Sequence, residues 1–127
     1  MAEVFVPNRI VHRRLASGEV LTIRPFRTTD AASLAAYFRS LAQQSHYNRF
    51  LGASNSPSAS DLVATLDQPG GLVTSVAEIK SGQSCRLVGE ARHAVGPAGV
   101  EFALSVADDW HGRGIGSALL AYLERNA

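Results

Sequence analysis

The spacing of apolar residues changes period several times along the chain, and each change marks an element. Residues 9–16 (RIVHRRLA) and 19–26 (EVLTIRPF) flank Ser17-Gly18 and predict two strands joined by a hairpin turn. Pro25 ends the second strand or sits on an edge, because it has no N–H to give to a ladder. Thr28-Thr29-Asp30 then offers N-cap chemistry, and Leu34, Tyr37, Phe38 and Leu41 recur at i, i+3, i+4 and i+7. That stripe predicts a helix over about 28–44, with the apolar face in the core. Asn55-Ser56-Pro57-Ser58 breaks the chain. Ser58 or Ser60 caps a short helix carrying Leu62, Val63 and Leu66, and Pro69-Gly70-Gly71 closes it.

Three strands follow in the pattern: 72–79 (LVTSVAEI), 85–95 (CRLVGEARHAV) and 99–106 (GVEFALSV). Ser81-Gly82 and the tight loop Gly96-Pro97-Ala98-Gly99 separate them, which predicts an antiparallel meander. In the last strand Val100, Phe102, Leu104 and Val106 share one face, and Glu101, Ala103 and Ser105 the other. A final helix over about 114–126 carries Ile115, Ala118, Leu119, Tyr122 and Leu123 at helical spacing. Two strands, two helices, three strands and a helix make an α+β chain.

Length and charge narrow the class. At 127 residues the chain is a single domain with room for one core. A net charge of +1 supplies no electrostatic footprint for nucleic acid or an anionic membrane, and no apolar run reaches the ~18 residues of a membrane span. Cys85 is the lone cysteine, so no intramolecular disulfide forms, and a reducing, cytoplasmic setting is the expectation. His12, His46, His93 and His111 have no metal-ligand spacing with one another or with Cys85, so no metal site is expected.

The segment richest in chemistry is Trp110-His111-Gly112-Arg113-Gly114-Ile115-Gly116-Ser117, between a strand and a helix. Its glycines let backbone N–H groups approach an anion, and the helix N-terminus adds donors and a favourable dipole. A pyrophosphate suits this geometry; a plain glycine-rich connection is the alternative. A Rossmann site needs G-x-G-x-x-G in a parallel βαβ unit, and a P-loop needs Gly-Lys-Ser/Thr; neither is present.

Val106 to Leu120 (VADDWHGRGIGSALL) resembles the acetyl-CoA-binding motif of GNAT acetyltransferases, written Q/R-x-x-G-x-G/A, with Gly114 and Gly116 matching and His111 in place of Gln or Arg. Glu19–Arg27 with Asp30, Ser45–Phe50 (SHYNRF), Leu87–Arg92 (LVGEAR) and Val100–Ala103 (VEFA) are similar to segments of the GNAT domain of bacterial protein lysine acetyltransferases. The match spans about residues 18–127, with 1–17 as an N-terminal strand extension. The resemblance implies a mixed, mainly antiparallel sheet flanked by helices. It implies an N-acetyltransferase that moves an acetyl group from acetyl-CoA to a primary amine by direct attack. It implies that Glu101 is the general base, that Val106 offers backbone hydrogen bonds to pantetheine, and that His111, Gly112, Arg113, Gly114, Ile115, Gly116 and Ser117 line the cofactor site. A solvated strand glutamate is the alternative for Glu101, and Glu90 is the second carboxylate to consider. Tyr47 and Arg49 either shape the acceptor site or pack a helix end. Asp108 and Asp109 terminate a strand, and Cys85 is a small packing residue.

The GNAT domain ordinarily continues past this last helix with further strands and a helix, so the chain reads as truncated there. Two functions follow: an N-acetyltransferase, or a catalytically incomplete GNAT-like module for CoA binding or dimerisation. The bare edge of strand 99–106 and the stripe Ile115, Leu119, Tyr122 and Leu123 lead to the expectation of a homodimer.

Overall fold

A computed structural model describes residues 10–42, 58–64, 73–96 and 99–126. The chain divides into two compact units, residues 1–26 with 69–127, and residues 27–68. Tyr47, Arg49 and the loop residues Pro97 and Ala98 lie outside the described residues.

The first unit is a five-stranded sheet. Its strands are β1 (Val11–Arg14), β2 (Val20–Pro25), β3 (Val73–Ser81), β4 (Ser84–Gly96) and β5 (Gly99–Val106), and they lie side by side in chain order. Every neighbouring pair in the described sheet is antiparallel, in line with the mainly antiparallel sheet and the meander expected. Pro25 is the last residue of β2 and pairs with Ser75 of β3; β1 reaches only as far as Ile23 on the other side. Among the described residues the missing N–H of the proline therefore costs no ladder bond there. The hairpin turn holds as predicted, with Leu15 N–H donating to Glu19 O at 2.8 Å.

One face of the sheet is closed by helix α3 (Ile115–Asn126), numbered after the two helices of the second unit. Ile115, Ala118, Leu119, Tyr122 and Leu123 bury against Leu21, Ile23, Ala77, Ile79, Val88 and Ala91. A Cβ on Gly89 would lie 3.0 Å from Ser105 O and 3.2 Å from Leu119 Cδ1. The glycine is what lets the helix sit this close to β4. Leu119 is 0% exposed and Leu120 43%. Leu119→Ala should therefore cost about 2–5 kcal/mol of unfolding free energy, and Leu120→Ala within about 0.5 kcal/mol of nothing. Urea denaturation of the two variants measures both.

The ladder is irregular at one place. Ala77 pairs with Gly89 and Glu78 with Leu87, so Val88 is the extra residue of a bulge in β4. Its carbonyl accepts from Ala107 N–H at 2.8 Å, which ties the end of β5 to the bulge.

The second unit holds a 3-10 turn (Thr28–Asp30), α1 (Ala31–Ala42) and α2 (Ala59–Ala64). The helix begins three residues later than the apolar stripe suggests, because Asp30 Oδ2 accepts from Arg27 N–H at 2.8 Å and tightens the entry. Leu34, Tyr37, Phe38 and Leu41 are all buried, as the stripe predicts. Ser58 caps α2: Asp61 N–H donates to Ser58 Oγ at 3.2 Å, and Ser58 N–H donates to Asp61 Oδ2 at 3.0 Å. The two bonds are reciprocal, the capping-box arrangement.

Candidate functional site

The glycine segment forms the link between β5 and α3. After Val106, a 3-10 turn (Asp108–Trp110) redirects the chain, and His111 N–H closes it on Asp108 O at 3.2 Å. Gly112 and Gly114 then take φ of +77° and +83°, conformations that side chains with a Cβ rarely adopt. The reversal they produce starts α3 at Ile115. Ala118 N–H donates to Gly114 O at 3.0 Å and closes the first helical turn. The N–H groups of Ile115, Gly116 and Ser117 precede that bond and have no acceptor within the helix. They line up at the positive end of a helix of 12 residues. A Cβ on Gly114 would meet nothing within 4 Å, and Gly112, Arg113, Gly114 and Ser117 are exposed. Arg113 stacks its guanidinium 4.6 Å from the centre of the Trp110 ring, which holds the cation beside the turn. Backbone donors, the helix dipole and the exposed Arg113 are thus neighbours along the chain, with open space about Gly112 and Gly114.

Asp108 and Asp109 follow the strand, as expected of residues that end it. Arg86 lies 3.2 Å from Asp109, but both side chains are about 60% exposed, so the pair contributes little. Val106 is half-buried and packs against the core. Cys85 is exposed rather than a packing residue. It sits opposite Lys80 near the β3–β4 turn, where no core lies over the strands. Among the described residues no group of three His, Cys, Asp or Glu side chains could hold a metal ion.

The two carboxylates of the central strands have separate settings. Glu101 stands in β5 opposite Ala94. Strand geometry separates it from Val106 by about 17 Å, five residues at ~3.3 Å each. Glu90 stands opposite Ser105 and is 0% exposed. Ser105 Oγ donates to Glu90 Oε2 at 2.6 Å, and Arg92 Nε lies 2.8 Å from Oε1. Burial pushes the Glu90 carboxyl above its ordinary range, against the pull of the Arg92 charge and the Ser105 hydroxyl. A carboxyl enclosed in this way cannot meet an incoming amine, which removes Glu90 as a base candidate.

Burial of Glu90 has a pH signature. The folded state holds its proton more tightly than the unfolded chain does. The stabilisation is therefore complete below the ordinary carboxylate pKa and is lost as pH rises through the raised folded value. Glu90→Gln keeps the shape and an acceptor for Ser105 while removing the titration. The stability of the natural chain relative to Glu90→Gln should fall as pH rises above the ordinary carboxylate range, read by chemical denaturation at each pH. A flat difference would mean that Arg92 compensates the buried charge fully.

Sequence alternation assigned Val100, Phe102, Leu104 and Val106 to one face of β5. Phe102 is nevertheless 44% exposed and Leu104 37%, whereas Ser105 on the opposite face is buried. β5 is the edge of the described sheet, and the α3 residues that reach it do so near its Val106 end. His93, across from Phe102, is buried, and burial lowers its pKa. A polar network on β1–β3 also escaped the sequence. Arg24 pairs with Glu78 at 3.2 Å, and His12 Nδ1 meets Thr22 Oγ1 at 3.0 Å. Only the strand register brings these pairs together, and sequence spacing carries no trace of it.

No protein-family model matches the sequence, and no curated protein matches it. Solved structures do. The GNAT domain of PAT from S. lividans superposes with a TM-score of 0.69 at 24% identity, over 91% of this chain and 70% of that one. An acetyltransferase of Trypanosoma brucei superposes with a TM-score of 0.54 at 22% identity, over 83% of this chain and 72% of that one. The likeness is one of fold: this chain has the α+β fold of the GNAT domain.

Proposed function

We propose that this GNAT-fold chain is an N-acyltransferase that binds acetyl-CoA and passes the acetyl group to a primary amine. The observation that carries the proposal is the turn from Gly112 to Ser117, where glycines at positive φ lead into a helix start with three N–H groups lacking an intrahelical acceptor. Acetyl-CoA supplies the activated acetyl group as a thioester. In this reading the N–H groups of Ile115, Gly116 and Ser117 hold the pyrophosphate, with Arg113 beside them. His111 and Gly112 shape the entry to the turn, and the backbone of Val106 receives the arm along the β5 edge.

The amine nitrogen must be neutral to attack the thioester carbonyl, and an alkylammonium has a pKa near 10.4. Glu101 is the base in this proposal: it takes the proton from the ammonium, directly or through water. The C–N bond forms, the C–S bond breaks, and the departing thiolate takes a proton. No covalent enzyme intermediate is needed, so exposed Cys85 has no part in it. The test is release of free thiol from acetyl-CoA across a panel of amine acceptors, including lysine-containing peptides. Release that requires both acetyl-CoA and an amine supports transfer. Binding of CoA with no release for any amine favours the module without catalysis.

A further inference from the structure

The side chain of His111 folds back on the strand it follows. Its Nε2 lies 2.7 Å from the backbone carbonyl oxygen of Val106, five residues earlier. A carbonyl only accepts, so Nε2 carries the proton and donates. The same nitrogen lies 3.7 Å from Asp108 Oδ1, and the imidazole is 55% exposed. The closed 3-10 turn between them brings the ring round to the strand.

The position of that carbonyl gives the contact its meaning. Ala107 N–H donates to Val88 O across the strands, and Val106 pairs with Gly89 in the alternate phase. In an antiparallel ladder that phase turns N–H and C=O away from the neighbouring strand. The carbonyl of Val106 therefore faces the outer side of β5, the edge of the described sheet. An open edge is where an extended group carrying amides adds on, through main-chain hydrogen bonds. His111 covers the acceptor that such a group would use at the end of β5 nearest the glycine turn.

We propose that His111 is a displaceable latch on the Val106 carbonyl, released when the amide-bearing arm of CoA pairs with the β5 edge. This rests on the CoA-binding reading of the glycine turn. A nitrogen at 2.7 Å excludes a second donor from the same line of approach, so ligand and imidazole compete. His111 is thus a positioning residue that opposes ligand binding until it swings away. Its exposure leaves room for that movement, and water can take over its hydrogen bond.

The experiment compares CoA with 3′,5′-ADP, which keeps the adenosine with its 3′-phosphate and first 5′-phosphate and lacks the second 5′-phosphate and the arm, by calorimetry on the natural chain, His111→Ala and His111→Gln. A latch predicts that His111→Ala binds CoA about 3- to 10-fold more tightly, the loss of one competing hydrogen bond, with 3′,5′-ADP affinity unchanged. His111→Gln retains an N–H donor and should fall between the two. Nitrogen-15 spectra of the imidazole should lose the Nε2 hydrogen-bond signature on adding CoA and keep it on adding 3′,5′-ADP. Unchanged or weaker CoA binding by His111→Ala, with the natural chain binding well, overturns the latch and leaves the binding site standing. Absence of CoA binding by all three proteins overturns both.

Discussion

Gly114→Asp should abolish CoA binding, the largest loss expected of any single change in the turn. Gly114 sits at φ +83°, and a Cβ built there meets nothing within 4 Å. Crowding within the protein is therefore not the cause. The substitution forces a residue with a Cβ into a left-handed conformation, costing roughly 1–2 kcal/mol of stability. It also places a carboxylate at the mouth of an anion cradle. Two like charges about 4 Å apart repel by about 4 kcal/mol at an effective dielectric constant of 20, close to a thousandfold in affinity. Gly114→Ala separates the contributions, since it carries the same strain and no charge. Calorimetry should show no heat for Gly114→Asp and measurable, weakened binding for Gly114→Ala. Equal, undiminished affinity in both would remove the turn from the binding site.

The second large effect concerns the proton. Glu101→Gln keeps the size of the side chain and removes its basicity, so kcat should fall on the order of 10²- to 10⁴-fold while CoA affinity holds. Raising the pH should recover activity, because more of the amine is then neutral before it binds. Full activity of Glu101→Gln at neutral pH would place the base elsewhere. Glu90 is then no substitute, being wholly buried and held by Ser105 and Arg92.

Legibility in the sequence followed the physics of each element. Helix α3 was readable because the residues of its apolar stripe bury against one sheet, so burial and periodicity coincide. The turn at Gly112 and Gly114 was readable because positive φ demands a particular residue type at particular places. β5 was half readable. Alternation gave its two faces correctly, but burial depends on what lies over each face, and an edge strand leaves Phe102 and Leu104 exposed. The Glu90–Ser105–Arg92 cluster needed the β4–β5 register, which runs unbroken from Gly89 opposite Val106, while a bulge at Val88 shifts the β3–β4 register by one residue. No local pattern predicts such a bulge, since it is set by the strand on the other side of it. The contact between His111 and Val106 belongs to the same class, a hydrogen bond set by how the turn closes.

The central claim, that the Gly112–Ser117 turn holds the pyrophosphate of CoA, is tested most directly by titrating acetyl-CoA into the chain and following backbone amide signals. The account predicts saturable shifts concentrated in the amides of Arg113, Gly114, Ile115, Gly116 and Ser117, with a second set at Val106 on the β5 edge. Signals that stay in place along the turn while acetyl-CoA reaches millimolar concentration, or that move only elsewhere, would contradict it.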